Sequence, residues 1–470
     1  MIRSGSGLNG FALIALLASV AAAQERTDIR GIGMARTVNG PSRGIAALGV
    51  NPANLGMGGA GMISLNLIPF SFRLGSELIA YNTYNKFFTG VEGPGGTREP
   101  RYLSTEDKEE ILAAFPGGVA ATKFDFELMP AGLAVYHPSF GGIGVAMVEH
   151  LGTRLVIPKD YLAVPLYGLD SSGSDYLFDE TSVSAWWWRE LNVSYGMKLP
   201  VSLKKGVEMY AGVGFKYVSG YGMMETSRYH GRIANVREAE NQYRAIVSFD
   251  YLIRRSGVDM VDPGRENVDF SLFPQPAGTG FGVDLGFVAI LDGMQLHLSV
   301  TDIGSVSWNT NLVETYGDFN LEITDAFLNS VEDSVQYALR GRNRPGSEFS
   351  TVLPTRIRIG IVFAPDSGHL VSWMPAGLVL ALDVTQGFNE SMGNSVDPRV
   401  SIGLEYTGIP VLPIRTGLSI GDDSKLRWAV GTGLEFSAFS FDIATENLGL
   451  LFSLSDFDMY SFGMGFRFRF

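Results

Sequence analysis

The sequence predicts an all-β chain, a transmembrane antiparallel β-barrel of about fourteen strands. Three observations carry that prediction. Segments in which apolar and polar residues alternate with period two recur along most of the chain, many of them about ten residues long, whereas strands of soluble proteins average about five or six. Charged residues within these segments keep almost entirely to the polar parity. The connections between segments alternate between tight and long. Successive side chains of a strand point to opposite faces, so each segment has one apolar and one polar face. A soluble sandwich also alternates. Strand length, turn alternation and an export signal favour lipid outside and a polar lumen within.

Residues 1–23 supply the export signal. Arg3 is the positive end, Phe11 to Val20 is an apolar core, and Ala21-Ala22-Ala23 is a small-residue cleavage site. The core is too short to span a bilayer as a helix. Cleavage is expected after Ala23, and without cysteine the product is no lipoprotein. Glycine is abundant, 58 of 470 residues, without a collagen period. The absence of cysteine excludes disulfides, thiolate metal sites and a cysteine nucleophile. A net charge of −13 with no basic tract argues against nucleic acid as a partner.

Residues 24–60 are rich in Gly, Ala and Asn and lack a sustained period. The barrel is expected over 61–470. Strands are predicted near 61–74, 118–137, 141–157, 183–199, 206–221, 278–291, 293–303, 353–364, 376–388, 398–408, 411–421, 425–437, 438–446 and 458–470. Within the first, Ile63, Leu65 and Leu67 alternate and then slip parity at Pro69 to Phe70, Phe72 and Leu74. In the fourth, Arg189 breaks the pattern and Trp186 to Trp188 read as part of an interfacial aromatic girdle. The last strand is a comb, with Tyr460, Phe462, Met464, Phe466, Phe468 and Phe470 on one parity and glycines, Ser461, Arg467 and Arg469 on the other.

An even strand count puts both termini on one side. Tight turns at Pro138–Phe140, Asp292-Gly293, Ile409-Pro410 and Ser437-Ala438 then share the periplasmic side, and Asp-Gly is a favoured hairpin turn. The long connections 75–117, 158–182, 222–277 and 304–352 share the extracellular side. Tyr243 to Arg254 also alternates; it reads as part of an extracellular hairpin extending the wall, because counting it as a span would misplace a long loop. Ser104 is an expected N-cap, with Asp107 three residues on, for a helix through Phe115. Ile323 to Leu339 also has helical spacing.

The block GVNPANLG, just before the first strand, resembles the Asn-Pro-Ala signature in the N-terminal hatch of FadL-like outer-membrane proteins, the long-chain fatty-acid transporter superfamily. The stretches GFGVDLGF around Asp284, LSVTDIGSVSW at 298–308 and LPTRIRIG at 353–360 resemble a Bacteroidota-type branch of it related to PorV-like barrels. The resemblance implies that residues 24–60 form a hatch inside a fourteen-stranded lumen, with Asn51, Pro52 and Ala53 as its motif. It also implies that hydrophobic ligands bind inside and leave through the wall. A terminal Phe470 resembles the sorting signal read by the barrel insertion machinery. The bland reading of Asn51, Pro52 and Ala53 is that they only stabilise the plug: Pro52 fixes a turn and Asn51 bonds local backbone.

Asp284, Arg356, Arg358, Asp383, Arg399, Glu405 and Arg415 have inward parity, as do Arg427, Glu435, Asp442, Arg467 and Arg469. A buried charge must be paired or wet, and both signs on neighbouring strands allow cross-strand pairs. They read either as a structural ladder anchoring the hatch or as ligand contacts, Arg356 or Arg358 meeting the carboxylate of an amphipathic ligand. Gly417-Leu-Ser-Ile-Gly421 matches the hydrolase nucleophile elbow, but that motif needs a strand-to-helix turn and here lies inside a strand. The five histidines lack metal-ligand spacing, and His297, of inward parity, reads as a lumenal hydrogen-bonding residue. No catalytic residue, metal or cofactor is expected. The sequence therefore reads as a Gram-negative outer-membrane barrel, in contact with lipid, that takes up hydrophobic small molecules. The alternative is a docking or shuttle barrel with a protein partner, as in type IX secretion.

Overall fold

Alternation on this scale leaves backbone hydrogen bonds for neighbouring strands to satisfy, and in a closed ring no edge remains. The computed structural model describes residues 28–59, 61–77, 81–93, 98–113, 115–168, 175–200, 206–239, 242–257, 274–324, 340–364, 374–421, 426–452 and 459–470. The expected signal segment, His369, Asp422-Asp423 and residues 325–339 of the second expected helix lie outside these.

Among the described residues fourteen antiparallel strands close a barrel. They are β1 (Ile63–Ser76), β2 (Val119–His137), β3 (Gly141–Pro158), β4 (Ser182–Lys198), β5 (Val207–Ala239), β6 (Gly278–Leu291) and β7 (Met294–Trp308). The ring continues through β8 (Arg356–Phe363), β9 (Leu378–Gly387), β10 (Arg399–Tyr406), β11 (Ile414–Ile420), β12 (Arg427–Glu435), β13 (Phe439–Thr445) and β14 (Met459–Arg469). Each pairs with its chain neighbour, and Leu65 of β1 lies opposite both Leu133 of β2 and Phe468 of β14, which shuts the ring. The slip at Pro69 is a bulge: between the Leu67–Phe466 and Phe70–Met464 pairs, Ile68 and Pro69 oppose the single residue Gly465 of β14. A matching irregularity at Leu128–Ala131 of β2 keeps those two strands in step.

The burial is inverted relative to a soluble protein. Phe281 and Ile359 on the outer face are 57% and 53% exposed, whereas Asp284 and Arg358 on the inner face are 0% and 2% exposed. Water does not solvate such an outer face. The chain is a transmembrane barrel of the outer-membrane type, its apolar belt turned to lipid.

The wall is uneven. Strands β8 to β13 have 7–10 residues, but β5 has 33. Where the sequence suggested a loop from residue 222, β5 runs on to Ala239 and pairs with Gln242–Gly257, which pairs in turn with Val313–Thr324. Tyr221 is an extra residue in the pairing with β4, so the strand twists there without stopping. One face of this extension is apolar: Tyr229 stacks on Tyr251, and Phe249 packs on Phe178 and Phe319. The other face carries ion pairs, Arg228–Asp250 at 2.7 Å and Arg244–Glu322 at 2.9 Å. The rim with the long connections is called the upper rim below.

In the first long connection Ser104 and Asp107 form a reciprocal capping box on the helix Thr105–Leu112. That helix stops short of Phe115 because Pro116 disfavours helical backbone in the residue before it; Phe115 has φ −106° and ψ 80°.

Candidate functional site: the filled lumen

Residues 28–59 form no strand. They contain a short helix, Ile29–Gly33, and two 3-10 turns, Gly44–Ala47 and Pro52–Met57, and they lie inside the ring. Glycine explains how they fit. Gly142, Gly196, Gly212 and Gly286 stand opposite one another in register across β3 to β6. A β-carbon on Gly196 would strike the Pro52 carbonyl, one on Gly212 the Pro52–Ala53 peptide, and one on Gly286 the Asn51 side chain. This row of bare backbone seats residues 51–55. Asn51 caps the second turn, its Oδ1 accepting from the Ala53 N–H at 3.1 Å.

Three asparagines tie the segment to itself and to the wall. Asn39 N–H donates to Asp383 of β9 at 2.7 Å, and its side chain donates to the carbonyls of His297 and Arg358. Asn51 donates to Asn39 Oδ1 at 3.0 Å and to the Leu298 carbonyl at 3.3 Å. Asn54 donates to the Asn39 carbonyl at 2.7 Å and contacts His297 Nδ1 at 3.1 Å.

Ion pairs form a second set of ties. Glu405 of β10 accepts from Arg30 of the segment at 2.7 Å and from Arg415, its cross-strand partner on β11, at 2.6 Å. Arg415 also donates to Asp442 at 2.6 Å, and Arg467 lies 3.7 Å from Asp28. Arg36 of the segment pairs with Glu446, which Arg73 of β1 approaches at 3.8 Å.

Nearer the upper rim Lys216 sits among three carboxylates, paired with Asp302 and 3.1 Å and 3.7 Å from Asp284 and Glu190. His150 lies between Glu127 at 3.3 Å and Glu190 at 3.7 Å, its ring stacked on Trp188 at 4.0 Å. Arg358 donates to Thr301 at 3.1 Å and Arg356 to the Pro354 carbonyl at 3.3 Å. Gly49 of the segment, Trp188, Lys216, Arg356 and Arg358 share a cavity of about 20 Å³, room for about one water.

Above this polar layer the lumen turns apolar. Trp186, Trp188, Val306, Trp308, Leu353 and Met392 pack together and are buried. Trp186 and Trp188 therefore do not belong to an outer girdle. They share the inward parity of Glu190 and Asn192, and only Trp187 faces outward. There Trp187 donates to Glu149 at 3.1 Å and Arg189 pairs with the same carboxylate, which accounts for the arginine's break in the alternation.

Asp284, Asp383, Arg399, Glu405 and Arg415 are all buried and inward. The structure brings Glu405 and Arg415 together and gathers Asp284, Arg356 and Arg358 around the Lys216 layer, while Asp383 binds Asn39. Ser419 of the elbow-like motif is an inward residue of β11, on a strand rather than a strand-to-helix turn. Phe470 is 66% exposed, and its carbonyl accepts from the N–H groups of Met62 and Ile63. Sequence reading missed Arg30, Asn39, Asn54, His150 and Lys216. Only Lys216 carried a signal, its polar parity on β5.

No curated protein matches the chain. Among solved structures it is similar to the Ralstonia pickettii toluene transporter TbuX, at 11% identity over 94% of this chain and 99% of that one, with a TM-score of 0.44. A Pseudomonas aeruginosa FadL homologue is similar at 12% identity over 96% and 98%, with a TM-score of 0.43. The Pseudomonas putida toluene transporter TodX is similar at 11% identity over 96% and 98%, with a TM-score of 0.40. A sequence profile described as a family of unknown function (DUF5723) matches residues 57–446, most of the chain, and the chain belongs to that family.

Proposed function

We propose that this barrel takes up hydrophobic small molecules of fatty-acid-like character through a lumen gated by residues 28–59. The carrying observation is the apolar layer of Trp186, Trp188, Trp308 and Leu353 inside the ring. A barrel that passes ions or polar solutes has a polar, wet lumen; three buried tryptophans there suit an apolar cargo. Arg356 and Arg358, in the layer beneath, would meet a ligand's acid group, and residues 28–59 would act as the hatch. The upper rim would face outward from the cell, Phe470 would be read by the insertion machinery, and Gly417–Gly421 would have no hydrolytic role.

Native mass spectrometry of the gently extracted protein, with lipid analysis of what co-purifies, tests this. A bound fatty acid or hydrocarbon, lost in the Arg356→Gln/Arg358→Gln variant, is the expected result. An empty barrel that shows no uptake of lipophilic compounds would sink the reading. One observation favours a second reading, docking of a protein partner: the extension beyond Tyr221 has a core of its own around Phe178 and Phe249. A stoichiometric protein on an otherwise empty barrel would support it.

A further inference from the structure

The apolar layer is built almost wholly from one side of the barrel. Trp186 and Trp188 come from β4, Val306 and Trp308 from β7, and Leu353 from just before β8. Met392 does not. It sits in the connection from β9 to β10, on the low side of the wall, and its side chain is 1% exposed among the tryptophans. To reach them the connection crosses the mouth, and Glu390 pairs with Arg154 of β3 at 3.1 Å. It is tied at its roots by Asn389 donating to the Leu353 carbonyl at 3.0 Å and Asn394 donating to the Thr355 carbonyl at 2.9 Å. Met392 itself has φ +47°, a left-handed conformation that side-chain-bearing residues seldom adopt.

Unpaired polar atoms on the residues that pack in this layer are the second observation. Trp308 donates its indole N–H to Thr351 at 3.1 Å, Trp187 to Glu149 and Trp428 to Thr416. Trp186 and Trp188 are buried as deeply as Trp308, yet among the described residues neither indole N–H has an acceptor, and the buried hydroxyl of Ser391, the neighbour of Met392 in the chain, is also without a partner. Buried donors in native proteins are nearly always paired, and an unpaired one is costly. Unpaired donors on rings that share a layer with a flexible, unbranched thioether describe a site whose apolar half is filled by the protein's own chain.

We propose that residues 388–394 are a lid, that Met392 holds the place of a ligand's hydrocarbon chain, and that Trp186 and Trp188 select for an acceptor oxygen on that ligand. The class is a single-chain amphiphile bearing a hydroxyl, carbonyl or carboxylate oxygen, preferred over the bare hydrocarbon. The inference takes the direction of traffic from the uptake reading; the site itself stands on the lid and the indoles. When Met392 withdraws, the chain replaces the thioether at little cost in buried area. Its oxygen accepts from the indoles, and Trp188 leads on to the cavity at Arg356 and Arg358.

Full-length protein in lipid nanodiscs, titrated with 12-bromododecan-1-ol and with 1-bromododecane, tests this, because bromine quenches tryptophan emission only at short range. The alcohol is expected to give saturable quenching at roughly tenfold lower concentration than the alkane. Met392→Ala should tighten it several-fold, and Met392→Trp should abolish the saturable part. Trp186→Phe with Trp188→Phe should erase the preference for the alcohol. Equal binding of the two probes, or indifference to both Met392 variants, overturns the proposal; those variants lie on a connection and keep the test valid if the tryptophan variant fails to fold. Cellular uptake of the probes separates the two readings. Uptake that needs the protein but ignores Met392 removes the lid and leaves the transporter. Binding that follows Met392 with no protein-dependent uptake leaves the lid and removes the transporter.

Discussion

Glu405 shows what a buried charge does in this lumen. It accepts from Arg30 of the N-terminal segment and from Arg415 of the wall, with its side chain 4% exposed. Desolvating three charges is expensive, and the pairing recovers that cost only while every partner is present. Glu405→Gln should therefore destabilise the folded barrel by about 3–5 kcal/mol, read as a lowered urea midpoint for the loss of its compact electrophoretic band. Arg154→Ala, which breaks the more exposed pair with Glu390, should cost under about 1 kcal/mol. The wall half of the cluster was legible in the sequence, since Glu405, Arg415 and Asp442 announce their inward parity on regular strands. Arg30 and Asn39 were not. They lie in a stretch without a period, and Asn39 meets its partner Asp383 across 344 positions of chain. Trp186 to Trp188 misled for a different reason. Three consecutive tryptophans make both faces of the strand apolar, so alternation could not say which rings face lipid and which face the lumen.

At the scale of elements, all fourteen strands could be read because lipid enforces the alternation through the whole membrane belt. The end of β5 could not. Above the membrane the wall becomes a sheet with one apolar and one ion-paired face, and that continues the same period past residue 221. Local chemistry was legible where it is self-contained, as in the capping box of Thr105–Leu112. Ser104→Ala should leave the barrel intact while speeding amide exchange in that helix about fivefold. Acid should act on the same helix. The Ser104 N–H, and then Arg101, hold the Asp107 carboxylate below its usual range. Its stabilising effect is thus complete above the unfolded-state value of about 3.8 and is lost as pH falls through the lowered one. Exchange in this helix should be flat from neutral pH down to about 4, after correction for intrinsic rates, and should rise below it; a rise already under way near pH 6 would contradict the assignment.

At the scale of the molecule, the glycine content and the filled lumen are one feature. The sequence shows 58 glycines, many on inward parity, and weak strand formers there look like a liability. Gly142, Gly196, Gly212 and Gly286 are in register because residues 51–55 lie directly on their backbone. The wall gives up side-chain packing where the segment's own backbone supplies it. An added methyl cannot be absorbed by a flexible side chain, since at Gly212 it would meet the Pro52–Ala53 peptide. Overpacking of this kind costs about 1–3 kcal/mol, and the least expensive relief is for residues 51–55 to lift from the wall while the ring of strand hydrogen bonds stays closed. Gly212→Ala should then yield a folded barrel whose lumen leaks, giving discrete conductance steps in planar bilayers where the wild type stays closed. Deleting residues 28–59 should give larger steps still. Val213→Ala, one position along but on the lipid face and 49% exposed, should stay as closed as wild type. A silent Gly212→Ala barrel of wild-type stability would mean that the segment is not held by the glycine row, and that its asparagine hydrogen bonds and ion pairs keep it in place.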